Sequence, residues 1–137
     1  MSLTIWISGI SASGKTTLGS MLKNELLRLG YNNIIYLDGD ELRNRSTNEY
    51  GHSIEDRYKQ HKENIRIIIE EFDKGKIVIV SQVSHKRYMR DDARKKISSF
   101  FEVNLYCSPN VCAKRDIKNQ YKKALDGQYD CFPGVTE

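Results

Sequence analysis

The chain has 137 residues, 39% hydrophobic and 29% charged, the balance of one globular domain able to bury a core. No apolar run approaches the roughly 18 residues of a membrane span, and the first residues carry no signal-peptide pattern, so a membrane partner is not expected. Cys107, Cys112 and Cys131 lack paired metal spacing and read as reduced thiols of a cytoplasmic protein.

Residues 3–8 read as a short apolar strand that runs into Gly9-Ile10-Ser11-Ala12-Ser13-Gly14-Lys15-Thr16, a full match to G-x-x-x-x-G-K-[ST]. Leu18, Met21, Leu22, Leu26 and Leu29 then recur at helical spacing up to Gly30. Strand, glycine loop and amphipathic helix form the context that a phosphate-binding loop requires. Gly9 and Gly14 permit the tight turn that aims successive N–H groups at phosphate oxygens, and the helix dipole adds to the same field. A nucleoside triphosphate is therefore expected on Gly9, Ser11, Ala12, Ser13, Gly14, Lys15, Thr16 and Thr17. Lys15 would neutralise the β- and γ-phosphates, and the Thr16 hydroxyl would hold Mg²⁺.

Residues 33–37 read as a second strand, closing on Asp38-Gly39-Asp40. Such a position lies at the carboxyl edge of an open α/β sheet, where ligands bind. A carboxylate there can take the proton of an attacking hydroxyl or bind Mg²⁺ through water, although D-G-D by itself is more often a turn. Ser53 and Asp56 form a capping box. The helix it opens, with Ile54, Tyr58, Ile65, Ile68, Ile69 and Phe72 on one face, stops at Gly75. Residues 77–80 are an unbroken β-branched run, the pattern of a strand buried on both faces. A basic helix over 87–97 turns Met89, Ala93 and Ile97 inward, residues 101–106 form a fourth strand, and Ser108-Pro109 opens a further helix. Strands alternating with helices give a three-layer α/β fold with a mostly parallel sheet and right-handed crossovers.

The net charge of +4 gathers in two runs, 87–96 and 114–123. Two readings stand: solvated helix faces, or a cationic rim around polyphosphate substrates. Neither run is interleaved with base-stacking aromatics, so nucleic acid is not the expected partner.

The motifs, taken in order, resemble those of adenylyl-sulfate kinases, P-loop enzymes that pass the ATP γ-phosphate to the 3′-hydroxyl of adenylyl sulfate. Residues 7–17 resemble that family's ISGxSGSGKTT, 37–43 its LDGDxxR, 51–57 its GFSxEDR, and 63–66 its ENIR. Residues 83–91 resemble its ISPxRxxRD, 115–127 its RDxKGLYKKAxxG and 132–134 its FTG. The resemblance implies a single P-loop kinase domain over 1–137 with a lid at about 114–134, ATP and Mg²⁺ as cofactors, and a homodimer. The family's last strand and helix have no counterpart, as in a minimal or a truncated version.

By the same resemblance Asp40 would be the base or the water-linked metal carboxylate, with Asp38 supporting. Arg43, Arg57 and Asn64 would hold the acceptor nucleotide's phosphosulfate and sugar. Ser84 would serve the acceptor site, Arg115 the ATP site, Lys118 the lid, and Phe132 would stack on the acceptor base. Plainer readings stay open: Arg57 pairing with acids on its own helix, and Phe132 plugging a loop. Departures gather on the acceptor side. His52 stands where the family has a base-stacking phenylalanine, unless it is simply a surface histidine. His85 and Pro133 replace a proline and a threonine, and residues 118–121 depart from KGLY. Between Arg57 and Asn64 the chain carries four residues more than the family spacing, about one helical turn. Either His61 takes over the direction of Arg57 or the helix bulges.

The expected function is a kinase of a nucleotide 3′-hydroxyl, with adenylyl sulfate as leading acceptor. Another nucleotide bearing a diphosphate-like group, such as cytidine diphosphoramidate, is the near alternative. A non-catalytic nucleotide-binding domain and a kinase of a non-nucleotide metabolite are further alternatives.

Overall fold

The structure is a computed structural model and describes residues 2–9, 14–51, 53–83 and 87–105. At its centre is β3 (Ile77–Gln82), flanked by β1 (Leu3–Ser8) and β2 (Ile34–Leu37), with β4 (Phe100–Asn104) on the far side of β1. Every pairing is parallel, in the order β2-β3-β1-β4, with Ile5 opposite both Ile79 and Phe101 and Leu37 opposite Val80. Val78 and Val80 of β3 enter one face and Ile77 and Ile79 the other, and none is more than 4% exposed. The strand is therefore buried on both faces, as its β-branched run predicts, and each such side chain contributes about 1.5–3 kcal/mol of burial.

On one face, α1 (Lys15–Arg28) lays Leu18, Leu22 and Leu26 against Ile5, Ile7, Ile77 and Ile79. Met21 and Leu29, expected in that stripe, are 64% and 58% exposed. The reason is the line along which the helix meets the sheet. Gly19 is buried there, and a Cβ on it would stand 2.2 Å from Tyr36 Cε2. Met21 lies about 200° around the helix from that contact, and Leu29 is the cap beyond the last turn. The helix ends in a Schellman motif, with Gly30 at φ 97° and N–H bonds from Gly30 to Leu27 and from Tyr31 to Leu26.

The other face carries α2 (Gly39–Arg45), α3 (Ile54–Asp73) and α4 (Arg87–Lys96) over a core of Trp6, Leu37, Leu42, Ile65, Ile68, Val80, Ala93 and Ile97. Met89, Ala93 and Ile97 face inward as expected. The helix α2 has no counterpart in the sequence expectation: D-G-D opens a helix rather than only closing a strand. Ser53 caps α3, accepting from the Asp56 N–H at 3.1 Å, as the capping box requires. Ile54 and Tyr58, however, are 58% and 38% exposed, while Gln60, His61 and Asn64 are buried. The first half of α3 turns a polar stripe inward, and its apolar face begins only at Ile65. Glu71, further along α3, accepts from Arg45 Nη1 at 3.1 Å and Lys76 Nζ at 2.5 Å, tying α2 and the approach to β3 together. The Lys76 contact, more than any other, pulls its carboxyl below the usual range. The expected helix from Ser108, the lid, the terminal loop and the three cysteines lie outside the described residues.

Adding the missing Cβ tests the α1 contact. Gly-to-Ala in a helix ordinarily gains up to about 1 kcal/mol. Gly19→Ala is expected instead to lose about 1–3 kcal/mol in urea unfolding, because the Tyr36 ring is held in place by its hydroxyl contact with Ser81. Tyr36→Leu in the same chain should recover part of that loss. A Gly19→Ala protein more stable than wild type would show that α1 does not approach the sheet at this point.

Candidate active site

Parallel pairing puts the carboxyl ends of β1, β2 and β3 on one edge, and three sequence features converge there. The first is the start of α1. Gly14 is its N-cap, at φ 101° and in a left-handed conformation that disfavours any other residue. No side chain caps this helix and its first turn holds no acid, so Lys15 and Thr16 stand where backbone N–H groups and the helix dipole attract an anion. Ser81 fixes the position: its hydroxyl lies 2.7 Å from Tyr36 Oη and donates to the Lys15 carbonyl at 3.3 Å. Gly9 follows β1 directly, whereas Ser11, Ala12 and Ser13 of the loop lie outside the described residues. Thr16 and Thr17 are exposed.

The second feature is D-G-D. Asp38 is the N-cap of α2, its Oδ1 accepting from the Glu41 N–H at 2.8 Å. The structure thus gives it a local task, holding α2 against the sheet edge, where Gly39 lies alongside Gln82. Asp40 sits exposed in the first turn of α2. Among the described residues no three His, Cys, Asp or Glu side chains cluster as a metal cage. Mg²⁺ needs no such cage, since it keeps several waters and takes substrate phosphate oxygens. The oxygen donors Thr16 and Asp40, in the first turns of two helices at one sheet edge, fit that requirement.

The third feature is a cleft of about 50 Å³ lined by Arg43, Arg57, Gln60, His61, Asn64, Gln82, Val83 and Met89. That is room for a few waters or one small polar group rather than for a nucleotide. The structure brings Arg43, Arg57 and Asn64 together, as expected, and adds Gln60, Gln82, Val83 and Met89. His52, Ser84, Arg115, Lys118 and Phe132 lie outside the described residues. Arg43 donates to the Tyr50 carbonyl at 2.9 Å, which steadies the loop after α2. Glu63 anchors the same loop through the Thr47 N–H at 3.1 Å, and its contacts with Arg66 first and Thr47 second lower its carboxyl to about 2.

The extra turn of α3 does not bulge. The helix runs unbroken through it and delivers Arg57 and, one turn on, His61 to the same cleft. Gln60 donates to Asn64 Oδ1 and to Ser46 Oγ, both at 2.7 Å, which fixes the Asn64 amide so that its oxygen faces Gln60. His61, 3% exposed, packs edge-on against Trp6 at 6.3 Å and has Nε2 3.1 Å from Asp92 Oδ2. Burial pushes its pKa below the ordinary value, against the pull of Asp92. The polar residues 57, 60, 61 and 64 repeat with the helical period, the one signal in the sequence that could have placed Gln60 in the cleft.

The sequence profile described as adenylylsulphate kinase matches residues 1–137. The adenylyl-sulfate kinase of Rippkaea orientalis is 38% identical over 136 residues, which is 98% of this chain and 74% of that protein. The cytidine diphosphoramidate kinase of Campylobacter jejuni is 36% identical over 131 residues, 96% of this chain and 76% of that protein. Among solved structures, the Mycobacterium tuberculosis APS kinase CysC in complex with AMPPNP and APS superposes with a TM-score of 0.89 at 31% identity, over 98% of this chain and 79% of that one.

The buried histidine gives a pH test. The unfolded chain binds a proton at His61 near pH 6.5, and the folded chain only at lower pH, so this contribution is complete above about 6.5 and is lost as pH falls below it. The urea midpoint of wild type should therefore drop between pH 7.5 and 5.5 more than that of His61→Gln. Equal drops would mean that the ring is not buried as described.

Proposed function

The chain belongs to the adenylylsulphate kinase family and is a phosphotransferase acting on a hydroxyl group, and on that premise we propose that it moves the γ-phosphoryl group of ATP to the 3′-hydroxyl of a nucleotide. Adenylyl sulfate is the leading acceptor and 3′-phosphoadenylyl sulfate its product. The observation that carries the reading is the shared edge: the uncapped start of α1, preceded by a complete phosphate-loop sequence, lies at the same carboxyl-end edge of the sheet as a cleft holding Arg43 and Arg57.

The Lys15 ammonium and the α1 N–H groups hold the triphosphate and offset the charge on the transferring phosphoryl oxygens. Mg²⁺, when bound by Thr16 and through water by Asp40, would neutralise β- and γ-oxygens. Asp40 accepts the proton of the 3′-hydroxyl as its oxygen bonds to the γ-phosphorus and the bond to ADP breaks. Arg43 and Arg57 orient the acceptor's anionic bridge, for which guanidinium forks are suited. Asp38 acts by positioning, through its cap on α2. Ser84, His52 and Phe132 complete the acceptor site in this reading, with Arg115 and Lys118 on the side that closes over ATP.

Cytidine diphosphoramidate is the second reading. What favours it is the cleft itself, where the extra turn of α3 supplies Gln60 and His61.

ADP release measured with ATP·Mg²⁺ and each acceptor in turn tests both readings. One of the two nucleotides should raise turnover by orders of magnitude over ATP alone, and Asp40→Asn should lower that rate by about 10²–10⁴. ATP binding without any acceptor-dependent ADP release would refute the kinase reading and leave a nucleotide-binding domain.

A further inference from the structure

Within the acceptor cleft proposed above, on whose assignment this step rests, His61 is a lining side chain held by a charged partner on another helix. Its Nε2 lies 3.1 Å from Asp92 Oδ2 on α4, and Asp92 is in turn 3.3 Å from Lys96 Nζ. A carboxylate only accepts, so Nε2 carries the ring proton. Trp6 packs against the ring edge and closes it off from solvent. With Nε2 committed, the other polar atom of this cleft-lining ring is Nδ1, and in a neutral ring Nδ1 is a hydrogen-bond acceptor. Among the described charges, Lys96 behind Asp92 favours the neutral ring and Asp92 opposes it, while Arg43 of α2 and Arg57 of α3 line the same cleft. Burial acts in the same direction as Lys96.

We propose that His61 is a specificity-determining residue that accepts a hydrogen bond from an amine or hydroxyl group of the acceptor nucleotide. The cleft then combines two unlike functions. Arg43, Arg57 and the Asn64 amide donate to anionic or carbonyl oxygens, while His61 demands an N–H or O–H among them. An acceptor that presented only anionic oxygens at this point would leave Nδ1 buried against a lone pair and unpaired, which lowers affinity. An exocyclic base amine, a sugar hydroxyl or an amide attached to phosphorus meets the requirement, and a bare sulfate does not.

The test is acceptor affinity in the AMPPNP-loaded protein, by calorimetry with adenylyl sulfate and with cytidine diphosphoramidate, beside steady-state KM for acceptor and for ATP. His61→Asn keeps a carbonyl oxygen near the position of Nδ1 and should stay within about threefold of wild type for the better acceptor. His61→Leu should weaken acceptor binding about tenfold, and His61→Arg at least as much, with KM for ATP nearly unchanged in all three. If Leu binds the acceptor as wild type does, or Arg binds it more tightly, the inference is wrong and the cleft reads anionic oxygen at this point. Should the His61 variants not fold, Asp92→Ala serves. It releases Nε2 and the tautomer, and should weaken acceptor binding about threefold without moving KM for ATP; unchanged binding overturns the inference. Failure of the kinase reading looks different, since wild type would bind an acceptor yet release no ADP. If wild type binds neither nucleotide, the cleft is not an acceptor site and the inference falls with it.

Discussion

The structure depends on β3 being hydrogen-bonded on both sides and buried on both faces. Parallel pairing to β1 and β2 admits no hairpin, so β1, β2 and β3 are each followed by a helix before the next strand. All carboxyl ends then fall on one edge. Gly9 follows β1, D-G-D follows β2 and the cleft wall follows β3, so three stretches distant in sequence come to the same edge. The Ser81 hydroxyl adds the local adjustment, linking the end of β3 to the first residue of α1 and to Tyr36.

The starts of α1, α2 and α3 on this edge are of two kinds. The helices α2 and α3 begin with side-chain caps, Asp38 and Ser53, and carry acids in their first turns, so their orphan N–H groups and positive ends are answered from within. The helix α1 begins with a left-handed glycine, no side-chain cap and no acid. No residue of its own first turn answers its positive end, and Lys15 adds to that field. The first turn of α2 likewise places Asp38 and Asp40, two residues apart, in different surroundings. One is turned back into the backbone of α2 as its cap, while the other remains exposed on the same first turn.

Much of this was legible in the sequence because its causes are local. The β-branched run of β3, the capping box at Ser53 and the glycine that ends α1 each act through neighbours a few residues away. The illegible parts arise between elements. Met21 has the right residue type and spacing for a core position, yet the contact of Gly19 with Tyr36 sets which side of α1 meets the sheet. Ile54 and Tyr58 extend the apolar stripe of α3 by periodicity, but this part of the helix lines a cleft with polar side chains, and periodicity cannot report what a helix faces. The helix α2 was hidden because D-G-D serves equally as a turn and as a cap. Arg43, Arg57 and Asn64 could be placed in one cleft from the resemblance alone, whereas Gln60 and His61 needed the extra turn to be seen as continuous helix.

That extra turn bears on what the cleft is for. Gln60, His61 and Asn64 are each at most 5% exposed, at positions where apolar side chains would fold at least as well. Burying them is tolerable only because each is paired: Gln60 with Ser46 and Asn64, His61 with Asp92. Such a network costs more than it returns unless its remaining polar atoms meet something. Some of those atoms belong to side chains lining a cleft that also holds two arginines, at the sheet edge where α1 begins. Folding alone does not call for that arrangement, whereas recognition of a polar ligand, as proposed for this cleft, would.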